Sequence, residues 1–424
     1  MNLDDMILVS VDDHVVEPRH IFEGRMPAKY ADRAPRVVSD GENETWIFEG
    51  ESAQYMGLNA VVGRPAEQWG LNPTGYDQMR KGCWDIDARI VDMNADGVLA
   101  SLNFPTFPQF CGQYFARQKD KDLALATVRA YNDWHIDEWA GTHPGRIIPC
   151  ALLPIWDPEL MAAEVIRVSK KGCHAVAFSE NPYKLGFPSL HTPHWDPFYK
   201  ACNDHATVVC THLGSSSELP VTSPDAPMDV TVVLLPSSLQ AGATDIILSG
   251  VFTRFPNLKW ALSEGGIGWI PYLLERLDYC YKRHSTWTGA DLKGRTPSEM
   301  FHHHIITCFI EDEVGLAMRD RIGIDTICLE SDYPHADSSW PLTPERIHKA
   351  AADLSDSEIN KITHQNALRN FNFDPFAHIP REQATVGALR ALVGAIDLTF
   401  DDGRVAVKGG HGSPIAHQYQ RVDG

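Results

Sequence analysis

This 424-residue sequence has no CxxC pair. Its nine cysteines, from Cys83 to Cys328, are scattered singly, which argues against a zinc ribbon or a dithiol redox site. It also has no cluster of basic residues. Lys and Arg number 37 against 56 Asp and Glu, and a net charge of −19 argues against nucleic acid or an anionic membrane as partner, since both reward grouped cations. No apolar run approaches the roughly 18 residues needed to cross a bilayer. The odd cysteine count and the lack of a signal-like start point to a reducing, cytoplasmic setting. There is no flavin, haem or iron–sulfur signature.

The composition that remains, 43% hydrophobic and 22% charged, is that of a folded chain with a large core. Apolar segments with strand character are expected at Ile7–Val11, Val98–Leu102, Ile147–Leu153, Ala175–Phe178, Thr207–Thr211, Leu258–Leu262, Ile305–Phe309 and Thr326–Leu329. Helical patterns lie between them at Asp85–Asp96 (closed by Gly97), Pro158–Lys171, Trp195–His205, near Val232–Ser249 and at Ile270–Arg283. A loop-rich stretch follows the first strand to about residue 80, and a Ser/Pro-rich loop, Gly214–Met228, interrupts the alternation. Such alternation implies a parallel sheet, and eight units can close into a barrel. An open, doubly wound sheet would carry a Gly-rich turn after its first strand. That place holds Asp12-Asp13-His14-Val15-Val16-Glu17-Pro18. The expected fold is therefore α/β, a (β/α)8 TIM barrel over residues 1–376 with loop insertions, followed by a C-terminal extension, 377–424. In the extension, Glu382–Ile396 reads as a helix and Asp397–Val407 as a hairpin around Asp401-Asp402-Gly403, a candidate arm for contact with another subunit.

Acids and histidines gather where the strands end. Asp12 and His14 close strand one, and residues i and i+2 of a strand share a face. Glu180 follows strand four, His212 follows strand five, Glu264 follows strand six, and Asp332 and His335 follow strand eight. In a barrel these ends form one ring, on the face where barrel active sites sit. Acids placed there repel one another unless a cation holds them. Each residue also has a plainer reading: Asp12, Asp13 or Asp332 as a loop cap, His212 as a core histidine, Glu180 and Glu264 as turn acids. Their joint placement at strand ends favours the ring. His302-His303-His304 precedes strand seven on the opposite rim and reads as a solvated loop. Phe104, Phe107, Trp156, Tyr183 and Trp340 crowd the expected mouth, either shaping an apolar pocket or packing loops onto the barrel.

The segments Val11–Pro18, Arg89–Val98, His212-Leu213-Gly214, Ser263–Trp269, Ser331-Asp332-Tyr333-Pro334-His335 and Asn366–Phe371 together resemble the amidohydrolase superfamily. The branch is amidohydrolase-2, with the aminocarboxymuconate-semialdehyde-decarboxylase-like enzymes, and the resemblance runs from about Ile7 to Phe373. It implies a metal-dependent enzyme on a barrel, with Asp12 and His14 at the family's His-x-His, His212 as the strand-five ligand and Asp332 as the strand-eight ligand. Two positions depart from the pattern. Asp12 replaces the first histidine, and Glu264 stands where the decarboxylases usually carry a strand-six histidine. Carboxylate in place of imidazole makes a site harder and more anionic, which favours Mn or Fe, with Zn still possible. With Glu180, the candidate ligands Asp12, His14, Glu180, His212, Glu264 and Asp332 match the four-carboxylate, two-histidine set of dinuclear carboxylate proteins, so one or two divalent metals per chain are expected.

The ligand exchange leans towards O2-dependent hydroxylation of a small organic substrate at a dinuclear Fe/Mn site, served by an electron-donor protein. The alternative is hydrolysis of an amide, ester or lactone, or non-oxidative decarboxylation, at a mononuclear Zn or Mn site with His335 or Glu17 as acid/base. A third reading is a non-catalytic barrel subunit. The expected macromolecular partners are further copies of the chain or a paralogue.

Overall fold

The computed structural model describes residues 1–401 except 42, 54–58 and 71–72. The barrel strands are β1 (Leu8–Val15), β2 (Val98–Pro105), β3 (Ile147–Ile148 and Cys150–Ala151), β4 (Ala175–Phe178), β5 (Val208–His212), β6 (Lys259–Ser263), β7 (Ile305–Phe309) and β8 (Ile327–Leu329). Their hydrogen-bonded order runs from the first half of β3 through β2, β1, β8, β7, β6, β5 and β4 to the second half of β3. Every pairing is parallel. The two ends of the sheet are thus two halves of one strand, parted at Pro149, which has no N–H to give a ladder. This is the α/β barrel expected from the alternation. β4 and β7 keep the predicted bounds, while β1 and β2 run on to Val15 and Pro105 because Asp12, Asp13, His14 and Asn103 are buried and continue the strands.

Helix Ile86–Asp96 starts where the Asp85 side chain accepts the Ala88 N–H and stops at Gly97, whose φ of 78° suits glycine. Helices Pro158–Ser169, Asp196–Asp204 and Ile270–Thr288 also stand where expected. The helix expected near Val232–Ser249 is two, Met228–Leu234 and Ser237–Leu248, parted at Leu235-Pro236. With Leu235 and Pro236 they span 21 residues, Met228–Leu248, whose most apolar stretch has a mean hydropathy of 1.4 and is 33% buried; by length and composition only, the span is long and apolar enough to cross a membrane. This corrects the expectation that no apolar run approaches that length: Asp229, Ser237, Gln240 and Asp245 interrupt the apolar residues along the sequence.

Three features depart from the sequence reading. Helix Lys121–Trp134 was not foreseen, because its buried face includes Thr127 and Asn132 and blurs the apolar period. The loop-rich stretch contains a small antiparallel sheet, Arg36–Ser39, Glu44–Phe48 and Glu51–Ala53, which stacks Trp46 on Phe107. His302–His304 is not a solvated loop but the end of helix Pro297–His304, opened by a Thr296/Glu299 capping box. His304 is fully buried, its Nδ1 2.7 Å from the Leu258 carbonyl and its ring stacked on Phe252.

In the extension the helix shortens to Val386–Ala391 and packs on the barrel, with the Val386 N–H donating to the Met6 carbonyl. Residues 397–401 form no strand, and the remainder of the expected hairpin lies outside the described residues. The Asp397 and Thr399 carbonyls accept from Arg80 Nη1 at 3.1 and 3.3 Å.

Candidate metal centre

β1 is irregular at its carboxyl end. Ser10 lies opposite Ser101 and Asp13 opposite Asn103, so the strand carries an extra residue against β2. Bulges of this kind re-aim side chains at barrel rims. Here two adjacent aspartates are both buried, in different company. Asp13 accepts from Ser10 Oγ (2.9 Å), Ser331 Oγ (2.6 Å) and the Tyr333 N–H (3.2 Å). Asp12 faces the barrel mouth, with Oδ1 3.7 Å from His14 Nε2 and Oδ2 3.7 Å from His212 Nε2.

Around this pair the other strand ends close in. His14 Nε2 lies 3.2 Å from Asp332 Oδ1, His212 Nε2 lies 3.0 Å from Glu264 Oε2, and His335 Nδ1 lies 3.0 Å from Asp332 Oδ1. Stacking fixes the imidazole planes: His14 on His335 at 3.8 Å and His212 on Phe110 at 4.1 Å. His212 Nδ1 is 2.7 Å from the Leu213 carbonyl, which can only accept, so Nδ1 carries the proton and the Nε2 lone pair faces the acids. Glu264 and Asp332 sit at φ 61° and 53°, a left-handed region that residues with side chains rarely adopt and that clusters at functional sites. Their N–H groups are held by Glu330 Oε2 (3.1 Å) and the Asp12 carbonyl (2.9 Å).

Burial, followed by the charges of Glu330, Glu264 and Asp332, pushes the Asp12 carboxyl well above the usual carboxylate range. Burial, with His335 and His212 nearby, pulls His14 well below the usual histidine range. For His335 burial is the largest single influence and acts downward, but the charge and hydrogen bond of Asp332 together with the charges of Glu264 and Asp337 outweigh it, and the net shift is upward.

Do these residues fit a divalent metal? The donor atoms of His14, Glu264, Asp332 and His335 lie within 4.8 Å of one another, as do those of Asp12, His14 and His212. Both oxygens of Asp12 and of Asp332, both ring nitrogens of His14, and Nε2 of His212 and His335 are buried and close no hydrogen bond among the described residues. Leaving one such group unsatisfied costs about 1–3 kcal/mol, more when it is charged. A cation satisfies several of these donors at once, and the mixed N/O set suits Mn, Fe or Zn. The fit is good.

Of the sequence candidates, Asp12, His14, His212, Glu264, Asp332 and His335 come together. Glu180 does not join these groups. Its carboxylate takes the Ser215 hydroxyl, and its N–H donates back to Ser215 Oγ at 3.1 Å. Glu17 does not present an open acid/base group either. Its two oxygens accept the Thr106 and Phe107 N–H groups at 3.0 and 2.8 Å, and burial raises its pKa to about 7. It anchors the loop that carries Phe110. Glu330, Cys308 and Phe110 were not foreseen. Glu330 lies two residues before Asp332, so the rule that joined Asp12 to His14 reaches it as well.

With that geometry in place, comparison with known proteins is informative. The profile of the Amidohydrolase family matches residues 26–373. The chain is 24% identical over 306 residues to 2-amino-3-carboxymuconate-6-semialdehyde decarboxylase of Dictyostelium discoideum, covering 71% of this chain and 80% of that protein. Among crystal structures, it is similar to an amidohydrolase of Mycobacterium avium subsp. paratuberculosis (TM-score 0.68, 23% identity, 86% of this chain and 99% of the other). It is also similar to a dihydroxybenzoic acid decarboxylase of Polaromonas sp. solved with manganese and the inhibitor 2-nitroresorcinol (TM-score 0.60, 18% identity, 88% and 98%). The structural likenesses speak for the fold, and the profile match extends over most of the chain. The chain is therefore an enzyme of the Amidohydrolase family, in the branch of the aminocarboxymuconate-semialdehyde-decarboxylase-like proteins.

Proposed function

We propose that the enzyme is a divalent-metal-dependent lyase that removes CO2, without oxidation, from a small aromatic or conjugated carboxylic acid. The observation that carries this reading is the convergence of Asp12, His14, His212 and Asp332 at the barrel mouth with buried donor atoms unpaired, and with Glu264 beside His212, in a chain related to decarboxylases. Bound at these residues, a divalent ion, Mn before Fe or Zn, supplies the positive centre that orients an anionic substrate and offsets the charge left as CO2 departs. The protein does the rest. His335 Nδ1 lies 3.0 Å from Asp332 Oδ1, and its Nε2 is free to hand a proton to the carbon that loses CO2. The C–C bond breaks, its electron pair stays on that carbon, and the proton from Nε2 closes the new C–H bond; solvent then returns a proton to His335. The Phe104 and Phe110 rings, 5.2 and 4.1 Å from His212, give the site an apolar wall that excludes water.

The carboxylates at positions 12 and 264 favour a second reading, O2-dependent hydroxylation at two Fe or Mn ions with an external electron donor. Taken alone, that exchange would place it first. The decarboxylase relatives reverse the order. The test is to load the protein with Mn2+ or Fe2+, offer a panel of hydroxybenzoates and conjugated dienoic acids, and follow CO2 release and O2 uptake together. CO2 without O2 uptake is expected. Reductant-dependent O2 uptake without CO2 selects the second reading, and loaded protein that does neither with any member of the panel counts against both.

A further inference from the structure

Behind the ring of ligands described above lies a deeper group that neither the sequence reading nor the relatives bring to notice. Glu330, just past β8, is 1% exposed, and Cys308, on β7, is 2% exposed. The Cys308 thiol donates to Glu330 Oε2 and also lies 3.5 Å from the Leu262 carbonyl. One donor atom each from Asp12, Cys308 and Glu330 falls within 4.8 Å of the other two. Asp12 is fully buried and neither of its oxygens closes a hydrogen bond, so it has donor capacity on both sides.

Charge counting adds a second argument. Asp12, Glu330 and Asp332 are buried carboxylates, Glu264 beside them is partly exposed, and their charges act on one another. One divalent ion would leave two negative charges uncancelled if all four ionise; a second ion cancels those two and leaves only the charge that a Cys308 thiolate brings. Uncompensated buried charge is too costly to persist.

We propose that Asp12, Cys308 and Glu330 form a second, inner cation position, with Asp12 shared between it and the outer group. The proposal rests on reading the outer group as a metal centre. Two carboxylates and a thiolate suit a borderline ion such as Fe2+, Co2+ or Zn2+ and not Mg2+ or Ca2+. Binding at Sγ displaces the thiol proton to solvent, because a coordinating thiol is deprotonated. Glu330 would then tie both positions together, since its Oε2 also receives the N–H of Glu264, whose carboxylate faces His212.

The test is an anaerobic titration of chelator-stripped protein with Co2+, reading stoichiometry by equilibrium dialysis and the near-ultraviolet thiolate-to-cobalt charge-transfer band. Wild type should bind two equivalents and show the band. Cys308→Ser, checked for native folding by circular dichroism, should lose the band and bind its second equivalent at least tenfold more weakly. Glu330→Gln should weaken the same equivalent. One equivalent with visible d–d bands but no charge-transfer band overturns the inner position and leaves the outer reading intact. Two equivalents without the band, unchanged in Cys308→Ser, also overturn it. A band with a single equivalent places the ion inside and overturns the outer reading instead, and no cobalt at all overturns both.

Discussion

Asp12 and Asp13 are adjacent and both buried, yet one belongs to the barrel mouth and the other to the shell behind it. In the shell, Asp13 has two hydroxyls and a backbone N–H; Glu17, close by, has two backbone N–H groups. Hydrogen bonds satisfy both groups, and the Arg89 guanidinium also acts on Asp13. In the mouth, Asp12 and Asp332 approach histidines but close no hydrogen bond. Acidity is common to both regions, so what marks the site is unsatisfied donors that converge. His135 shows that both conditions are needed: its ring nitrogens are buried and unpaired, but it belongs to none of the converging groups.

This contrast can be broken or sharpened by measurement. The largest effect is expected for Asp332→Asn, a loss of ~10³-fold or more in CO2 release, equivalent to about 4 kcal/mol of transition-state stabilisation. The melting temperature of the metal-free variant should hold or rise, because an unsatisfied buried charge is gone; a clear fall would mean that Asp332 belongs with the shell. Asp13→Ala should do the reverse. It should destabilise the protein by about 3 kcal/mol in denaturant titrations, through three stranded donors, while the folded fraction keeps its metal stoichiometry. Manganese at a hundredfold excess over its Kd should stabilise wild type by ~2.7 kcal/mol, and Asp332→Asn should lose that gain. The smallest effect concerns His135, whose pKa burial lowers to about 3. A histidine lowered in the fold contributes stability above its unfolded pKa of ~6.5, and the contribution is lost as pH falls towards 3. At pH 5 the loss is about 2 kcal/mol, so the melting temperature of wild type should fall between pH 7 and 5 more than that of His135→Phe. Equal slopes would refute this.

Strand positions were legible because each strand is a short apolar run stopped by a polar turn. The pairing of Asp12 with His14 followed from strand geometry, and the same step from Asp332 back to Glu330 was available but not taken. Glu180 could not be placed by position along the chain, because the hydroxyl that claims it comes from Ser215, in the loop after the next strand. Glu17 misled for a similar reason: its partners are backbone amides of the β2 loop, which no side-chain pattern advertises. Helix Lys121–Trp134 and the small antiparallel sheet escaped because polar residues interrupt the apolar period of the one and the strands of the other are short.

Arg80 joins the extension to the barrel. It takes two carbonyls from the extension, at Asp397 and Thr399, and pairs with Asp92 at 2.7 Å; Asp92 in turn receives the hydroxyl of Tyr333 at 2.7 Å, one residue from Asp332. A chain cut before residue 397 would keep every candidate ligand and lose the far tether of this line of contacts. The boundary at residue 376 therefore divides the sequence without dividing the site, and a chain ended before residue 397 is expected to bind manganese more weakly although it has lost no ligand.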